Sequence, residues 1–260
     1  MREPQEFEGL VLFSKNFKEK DKLVKIFTEQ YGKKMFFVRH ANKKNSQIIS
    51  SIQPFTQSIY IGQIKEDGLS FLTASKDVTP FFNIQKDIFL SAYATYILNL
   101  TDASVEDGIY DPLLYGFTKQ MLAYINEGYD AEIMTNIFEV QILKRFGLSY
   151  NWLRCPICQE SKGAFDFSEV YNGVLCEKHW YKDENRCHFH PRAVHFLRLF
   201  SQIKTEKIQS IDLTPETKQQ IREALDYIFD NYVGINLKSK KFIDDMTKWQ
   251  HVLKDSENKN

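Results

Sequence analysis

The chain has 260 residues, 43% of them hydrophobic and 14% aromatic, with 34 basic and 34 acidic side chains and a formal net charge of zero. That length allows about two domains, and the apolar content supplies a substantial core and excludes a disordered chain. The zero balance excludes simple whole-molecule attraction to a polyanion, although the charge is unevenly placed: residues 1–76 hold 13 basic and 8 acidic residues, a net of +5, and the remainder carries −5.

From the N-terminus, Met1-Arg2-Glu3-Pro4 has no apolar run of the signal-peptide kind. Residues 6–76 read as β. Strands are expected at Glu8–Phe13, Leu23–Phe27, Lys34–Arg39, Ser58–Ile64 and Leu69–Thr73, with Tyr31-Gly32 and Lys65-Glu66-Asp67-Gly68 as turns. Five short strands at this spacing predict a small Greek-key barrel, and the OB-fold is the commonest five-stranded case.

Residues 85–150 read as α. The most apolar stretch of helical length, Phe89–Leu100, is interrupted by Ser91, Thr95 and Asn99 and is too short to span a bilayer. Asp111 caps a helix that has Pro112 in its first turn. Leu113, Leu114, Phe117, Met121, Leu122 and Ile125 then repeat at helical spacing. Ile133, Ile137, Val140 and Leu143 make another face, ended by Gly147. Further on, Val194, Leu197, Phe200 and Ile203 form a stripe. Thr214-Pro215 opens a last long helix carrying Ile221, Leu225, Ile228, Phe229 and Tyr232. Phe242, Met246 and Trp249 are expected to dock a final turn, and the polar tail Lys254–Asn260 to fray. These stripes read as core rather than as binding grooves.

Inside the helical part lies Cys155-Pro156-Ile157-Cys158, and after seventeen intervening residues Cys176 and His179 in a Cys-x2-His. Zinc takes four N or S ligands in a tetrahedron, and two short-range pairs joined by a loop supply that geometry. Pro156 pre-sets the first turn, and Asn172-Gly173 signals a hairpin leading to the second pair. One structural Zn2+ held by Cys155, Cys158, Cys176 and His179 is the expectation. Cys187, His188 and His190 compete for the fourth position, with Cys187 the main alternative. His179 is favoured because its pair needs no extra loop closure, and Cys187 is then a free thiol, which suits a reducing compartment. A catalytic zinc would keep an open position and a nearby general base, and neither His-x-Glu nor His-Glu-x-x-His occurs.

No phosphate-binding Gly-x4-Gly-Lys-Ser/Thr loop, dinucleotide-binding Gly-x-Gly-x-x-Gly or nucleophile-elbow Gly-x-Ser-x-Gly occurs either. A non-enzymatic, cytoplasmic binding protein is therefore expected. Its domains read as 1–80, an OB-fold DNA-binding domain, and 81–260, a helical domain with a zinc-binding segment at 151–190.

The window 15–44 holds ten basic and three acidic residues. A basic module on an acidic body points to one polyanion-binding face and a separate surface for another partner. In an OB barrel the strand 2–3 face and adjoining loops bind single strands by combining cations with stacking aromatics. Lys33, Lys34, Arg39, Lys43 and Lys44 are the expected DNA-binding residues. Phe36 and Phe37 point to opposite faces of one strand, so one belongs to the core and the other is free to stack on bases.

The order of these parts carries a resemblance. A strand beginning Glu8-Gly9-Leu10-Val11-Leu12 is followed by Lys18-Glu19-Lys20-Asp21-Lys22-Leu23-Val24 and the Gly32 turn. Then come the basic Arg39-His40-Ala41-Asn42-Lys43-Lys44-Asn45-Ser46, Gln53-Pro54-Phe55, and a helical part holding Cys-x2-Cys and Gly173-Val174-Leu175-Cys176. In this order the chain resembles the bacterial RecO recombination mediators over nearly its full length. The resemblance implies an OB-fold domain, a helical domain, a zinc site, binding of single- and double-stranded DNA, and annealing of complementary strands. It also implies assembly with RecR and help in loading the RecA recombinase on DNA coated by single-strand-binding protein. Two departures are visible: the family commonly has a second Cys-x-x-Cys where this chain has His179, and its Gly-Ala-Arg-Lys-like stretch is here Arg39-His40-Ala41-Asn42-Lys43-Lys44. The acidic, Phe-ended tail of single-strand-binding protein is an implied partner. Arg198 and Lys204, on the helix expected from Arg192, are the cations offered to it. A different function class, a zinc-ribbon adaptor that binds protein or RNA without annealing DNA, is the alternative reading.

Overall fold

A computed structural model describes residues 3–208 and 211–246; Trp249 and the tail from Lys254 lie outside the described residues. The chain divides into two compact units, one of the residues up to Ala131 together with those from Leu237 on, the other of Glu132–Asn236.

In the first unit, strands β1 (Gln5–Phe17), β2 (Asp21–Thr28), β3 (Gly32–Val38), β4 (Thr56–Gln63) and β5 (Ser70–Pro80) close a barrel in the order β1-β2-β3-β5-β4. β4 pairs back on β1, and β3–β5 is the parallel ladder among antiparallel ones. This is the expected OB-type Greek key, with strands longer than the alternation signalled. β1 reaches 13 residues because it serves two partners, with a register shift between Val11 and Phe13 bending it from one to the other. Phe7, Val11, Val24, Ile26, Phe36, Val38, Tyr60 and Leu72 fill the interior. The Phe7 ring stacks on Phe36 at 5.3 Å, and the buried Tyr60 hydroxyl donates to the Ser51 carbonyl at 2.6 Å. Of the phenylalanine pair, Phe36 is the core residue and Phe37 lies outside.

Gly32, in the β2–β3 turn, has φ +64, and a Cβ there would fall 2.2 Å from the Ile109 carbonyl oxygen. The turn needs a left-handed residue, and the close approach of the 108–109 segment leaves room for glycine alone. That segment follows helices α1 (Phe82–Lys86) and α2 (Ile88–Ser104) and precedes α3 (Pro112–Asn126). Asp87 and Asp111 cap α2 and α3 through their carboxylates, with Pro112 opening α3 as expected. α3 packs on the barrel: Tyr115 meets Phe27 edge-on at 5.4 Å, and its hydroxyl and Lys119 Nζ each donate to Glu8 at 2.9 Å. Residues 238–246 are helical. Here the buried hydrophobic residue is Ile243, beside the buried Ser239, while Phe242 is 47% exposed. The docking expected of Phe242 falls to its neighbour because successive helical residues lie about 100° apart and one of them faces the body.

The second unit opens with α4 (Ala131–Ile142) and a 3-10 turn ended by Gly147. A hairpin of β6 (Phe165–Ser168) and β7 (Gly173–Cys176) follows, then a 3-10 turn at Glu177–Lys182, α5 (Pro191–Phe200), α6 (Pro215–Ile228) and a π turn at Phe229–Val233. α5 ends at Phe200, so Ile203, expected in its stripe, and Lys204, expected on the same helix, lie beyond it. Arg222 of α6 grips the fully buried Glu139 of α4 with two bonds of 2.6 and 2.9 Å. Among the described residues no helix is long and apolar enough to cross a membrane.

Candidate metal centre and nucleic-acid surface

The four side chains expected to bind zinc converge. The Sγ atoms of Cys155, Cys158 and Cys176 and a ring nitrogen of His179 all lie within 4.8 Å of one another. Local backbone explains the convergence. The Cys155 carbonyl accepts from Gln159 N–H at 2.8 Å and the Cys155 N–H donates to Glu160 at 2.9 Å, which folds Cys155–Cys158 into a knuckle. β7 delivers Cys176 at its end, and the 3-10 turn after it brings His179 back over the same point. Asn172-Gly173 does mark this hairpin, but the loop between the strands is Glu169–Asn172 and Gly173 begins β7. A Cβ on Gly173 would lie 2.3 Å from the Asn151 carbonyl oxygen, so the glycine serves a close backbone approach.

The spacing fits a tetrahedral ion. With Zn–S of about 2.3 Å, ligand atoms should stand about 3.8 Å apart. Cys158 and Cys176 Sγ are 3.6 Å apart, and His179 Nδ1 stands 3.6 Å from Cys155 Sγ and 3.3 Å from Cys176 Sγ. The sulfur separation is far beyond the roughly 2.05 Å of a disulfide. Burial pushes both the Cys155 and Cys176 thiols up. At Cys155 backbone donors at Cys176, Cys158 and Ile157 outweigh it and draw the thiol down to about 6, toward the thiolate that a metal needs, while at Cys176 the neighbouring thiols add to burial and raise it to about 11. The competing residues are elsewhere engaged. The half-buried Cys187 has its thiol in hydrogen-bond contact with the Tyr227 and Tyr232 side chains, His188 Nε2 lies against the Glu184 carbonyl, and His190 Nδ1 accepts from Arg192 N–H as the cap of α5.

Arg198 is spent on this centre. Its guanidinium donates to the carbonyls of Trp152, Leu153 and Ser161 at 2.8–3.0 Å and stacks 3.9 Å from the Phe165 ring centroid. It ties the loop carrying the first cysteine pair to α5 and β6, so three of its five N–H donors already serve that loop. Lys204 is exposed but sits four residues past the end of α5. The sequence could not signal this role, because the acceptors are backbone carbonyls 37 to 46 residues away.

On the barrel the expected cations separate into two groups. Lys33 is 2% exposed, and its ammonium is held by Asp102 at the end of α2 and by Asp107. Lys25 joins the same acidic pair. Lys33 therefore presents no charge to a phosphate: the 102–109 segment covers this part of the barrel exterior, which strand alternation cannot foresee. Lys34 is half-buried, with Nζ donating to the Glu66 carbonyl at 2.8 Å. Arg39, Lys43 and Lys44 remain exposed. Arg39, His40 and Lys43 line a groove of about 440 Å³ between the β3–β4 connection and Thr73–Ser75 of β5.

The family descriptions "Recombination protein O N terminal" and "Recombination protein O C terminal" match residues 1–81 and 85–241. The chain is 58% identical over 249 residues to the DNA repair protein RecO of Enterococcus faecalis, covering 96% of this chain and 95% of that protein. It is 49% identical over 252 residues to that of Streptococcus gordonii, covering 97% and 96%. To that of Lactococcus lactis subsp. cremoris it is 45% identical over 249 residues, covering 96% and 98%.

Proposed function

The chain belongs to the RecO family of DNA repair proteins, and from that premise we propose that it is a non-catalytic mediator of recombinational repair that binds single- and double-stranded DNA and anneals complementary strands. The observation that carries the reading is the cationic groove of Arg39, His40 and Lys43 on an OB-type barrel. Cations along such a groove hold phosphates without reading sequence, which is what annealing of arbitrary strands demands. Residues 1–80 act as the DNA-binding domain and residues 81–260 as the helical domain. Its zinc segment, 151–190, holds one structural Zn2+ on Cys155, Cys158, Cys176 and His179. The donor set and its spacing support the metal, whose binding energy stabilises a loop-rich segment with little core of its own.

In this reading the protein works in the cytoplasm with RecR and helps load RecA recombinase on DNA coated by single-strand-binding protein. The acidic tail of that protein is a partner. With three of the Arg198 donors committed to carbonyls, a second place for the tail is the recess of about 270 Å³ in which Leu148, Tyr150 and Trp152 stand beside the polar Gln141, Ser149 and Ser201 and the one cation Lys144. The test is annealing of complementary oligonucleotides, bare and coated with single-strand-binding protein. Annealing of both supports the mediator. Absence of annealing and of DNA binding leaves the zinc-ribbon adaptor.

A further inference from the structure

We propose that Phe37 and Phe71, with Phe17 beside them, form a base-stacking platform for single-stranded nucleic acid on the outer face of the barrel. The proposal rests on the DNA-binding reading above and says where the bases go.

Strand parity puts the rings outside: Phe36 and Leu72 point into the core, so Phe37 and Phe71 point out. The parallel β3–β5 ladder sets Phe37 directly opposite Phe71, with ring centroids 6.1 Å apart. Phe17, at the end of β1, stands 5.9 Å from Phe37. Leu23 of β2 is Phe37's partner on the other side and extends the apolar strip. Phe17 is 38% and Phe71 37% exposed. Three adjacent rings left in contact with water on one strand face mark a surface that something covers.

Charge identifies the occupant. Lys18 Nζ stands 5.6 Å from the centroid of Phe17 and Lys65 Nζ 4.9 Å from that of Phe71, so a cation borders the strip at each end. Continuity adds to this. Two residues along the parallel strands from Phe37 and Phe71 come Arg39 and Thr73, and both line the cationic groove. A strand lying there sets bases on the rings and phosphates toward Arg39 and Lys43, the combination that sequence-tolerant single-strand binding uses. A duplex keeps its bases stacked on one another and gains nothing from the rings. Glu66 and Asp67 share the turn with Lys65, so the net positive charge along the track comes from Arg39 and Lys43.

The test measures the affinity of labelled oligo-dT, an abasic strand of equal length and a duplex for wild type, Phe37→Ala, Phe71→Ala and Phe71→Trp. Phe71→Ala should weaken oligo-dT binding roughly 5- to 150-fold, the loss of one stacked base, with abasic and duplex binding unchanged. Phe71→Trp should retain affinity, and oligo-dT should quench the added fluorescence. Alanine variants that bind oligo-dT like wild type, or that lose all three ligands equally, overturn the platform and leave the DNA-binding reading standing. Wild type that binds none of the three overturns both.

Discussion

Cys155 and His179 show how little a single side chain needs to reach a candidate metal site once its own turn is formed. Each pair is aimed by bonds within a few residues, so the closure is local twice over and long-range once. One zinc per chain is therefore expected by metal analysis of the purified protein. Cys155→Ala and His179→Ala should lose it and lower the melting temperature, whereas Cys187→Ala should keep it. Retention in His179→Ala with loss in Cys187→Ala would reassign the fourth ligand. Glu8 shows a different effect of placement. Burial pushes its carboxyl up, but donation from Lys119 and Tyr115 and the charge of Lys119 outweigh it, and the carboxyl sits below its usual 4.5. A lowered folded value means that the ionised form stabilises the fold above the unfolded value. That contribution is lost as pH falls through the lowered one. Glu8→Gln should thus be less stable than wild type at neutral pH and lose less on acidification below about 4.5. Parallel melting curves for the two proteins across that range would remove Glu8 from the acid response.

At the scale of elements, two arginines do what the helical stripes cannot. α4 and α6 each supply an apolar face, yet the Glu139–Arg222 bond fixes their register because a buried carboxylate tolerates one partner position. Arg222→Leu removes the guanidinium that holds the buried Glu139 carboxylate with two bonds, a loss of about 3–5 kcal/mol. Joint replacement of Glu139 and Arg222 by leucine should recover most of that in denaturant unfolding. Recovery absent from the double variant would show that the pair contributes more than mutual compensation. Arg198 acts on a loop in the same way, holding residues 152–161 by three carbonyls so that the cysteine knuckle meets β7.

For the whole molecule, the uneven charge divides the labour. The excess of cations in residues 1–76 is partly consumed inside the fold, since Lys25 and Lys33 neutralise Asp102 and Asp107, and those that reach solvent include Arg39, Lys43 and Lys44 as well as Lys15, Lys18 and Lys20. Lys43→Glu with Lys44→Glu should weaken binding to all DNA sequences alike and flatten the dependence of affinity on salt, because fewer counterions are released. An unchanged salt slope in a folded double variant would move the phosphate track to Lys15, Lys18, Lys20 and Lys22.

The amino-acid sequence by itself determined the five strands, the capped helices, and the converging Cys and His pairs. Each of these is encoded by period, cap or turn residues within about a dozen positions. The tertiary structure alone decided which charges are free. Lys33 and Lys43 read alike in the chain, but Lys33 meets carboxylates some 70 residues away, and Arg198 meets distant carbonyls. The outward strip of Phe17, Phe37 and Phe71 likewise exists only because the barrel brings β1, β3 and β5 together. Burial and pairing of a side chain depend on what the fold lays across it, and no local pattern carries that information.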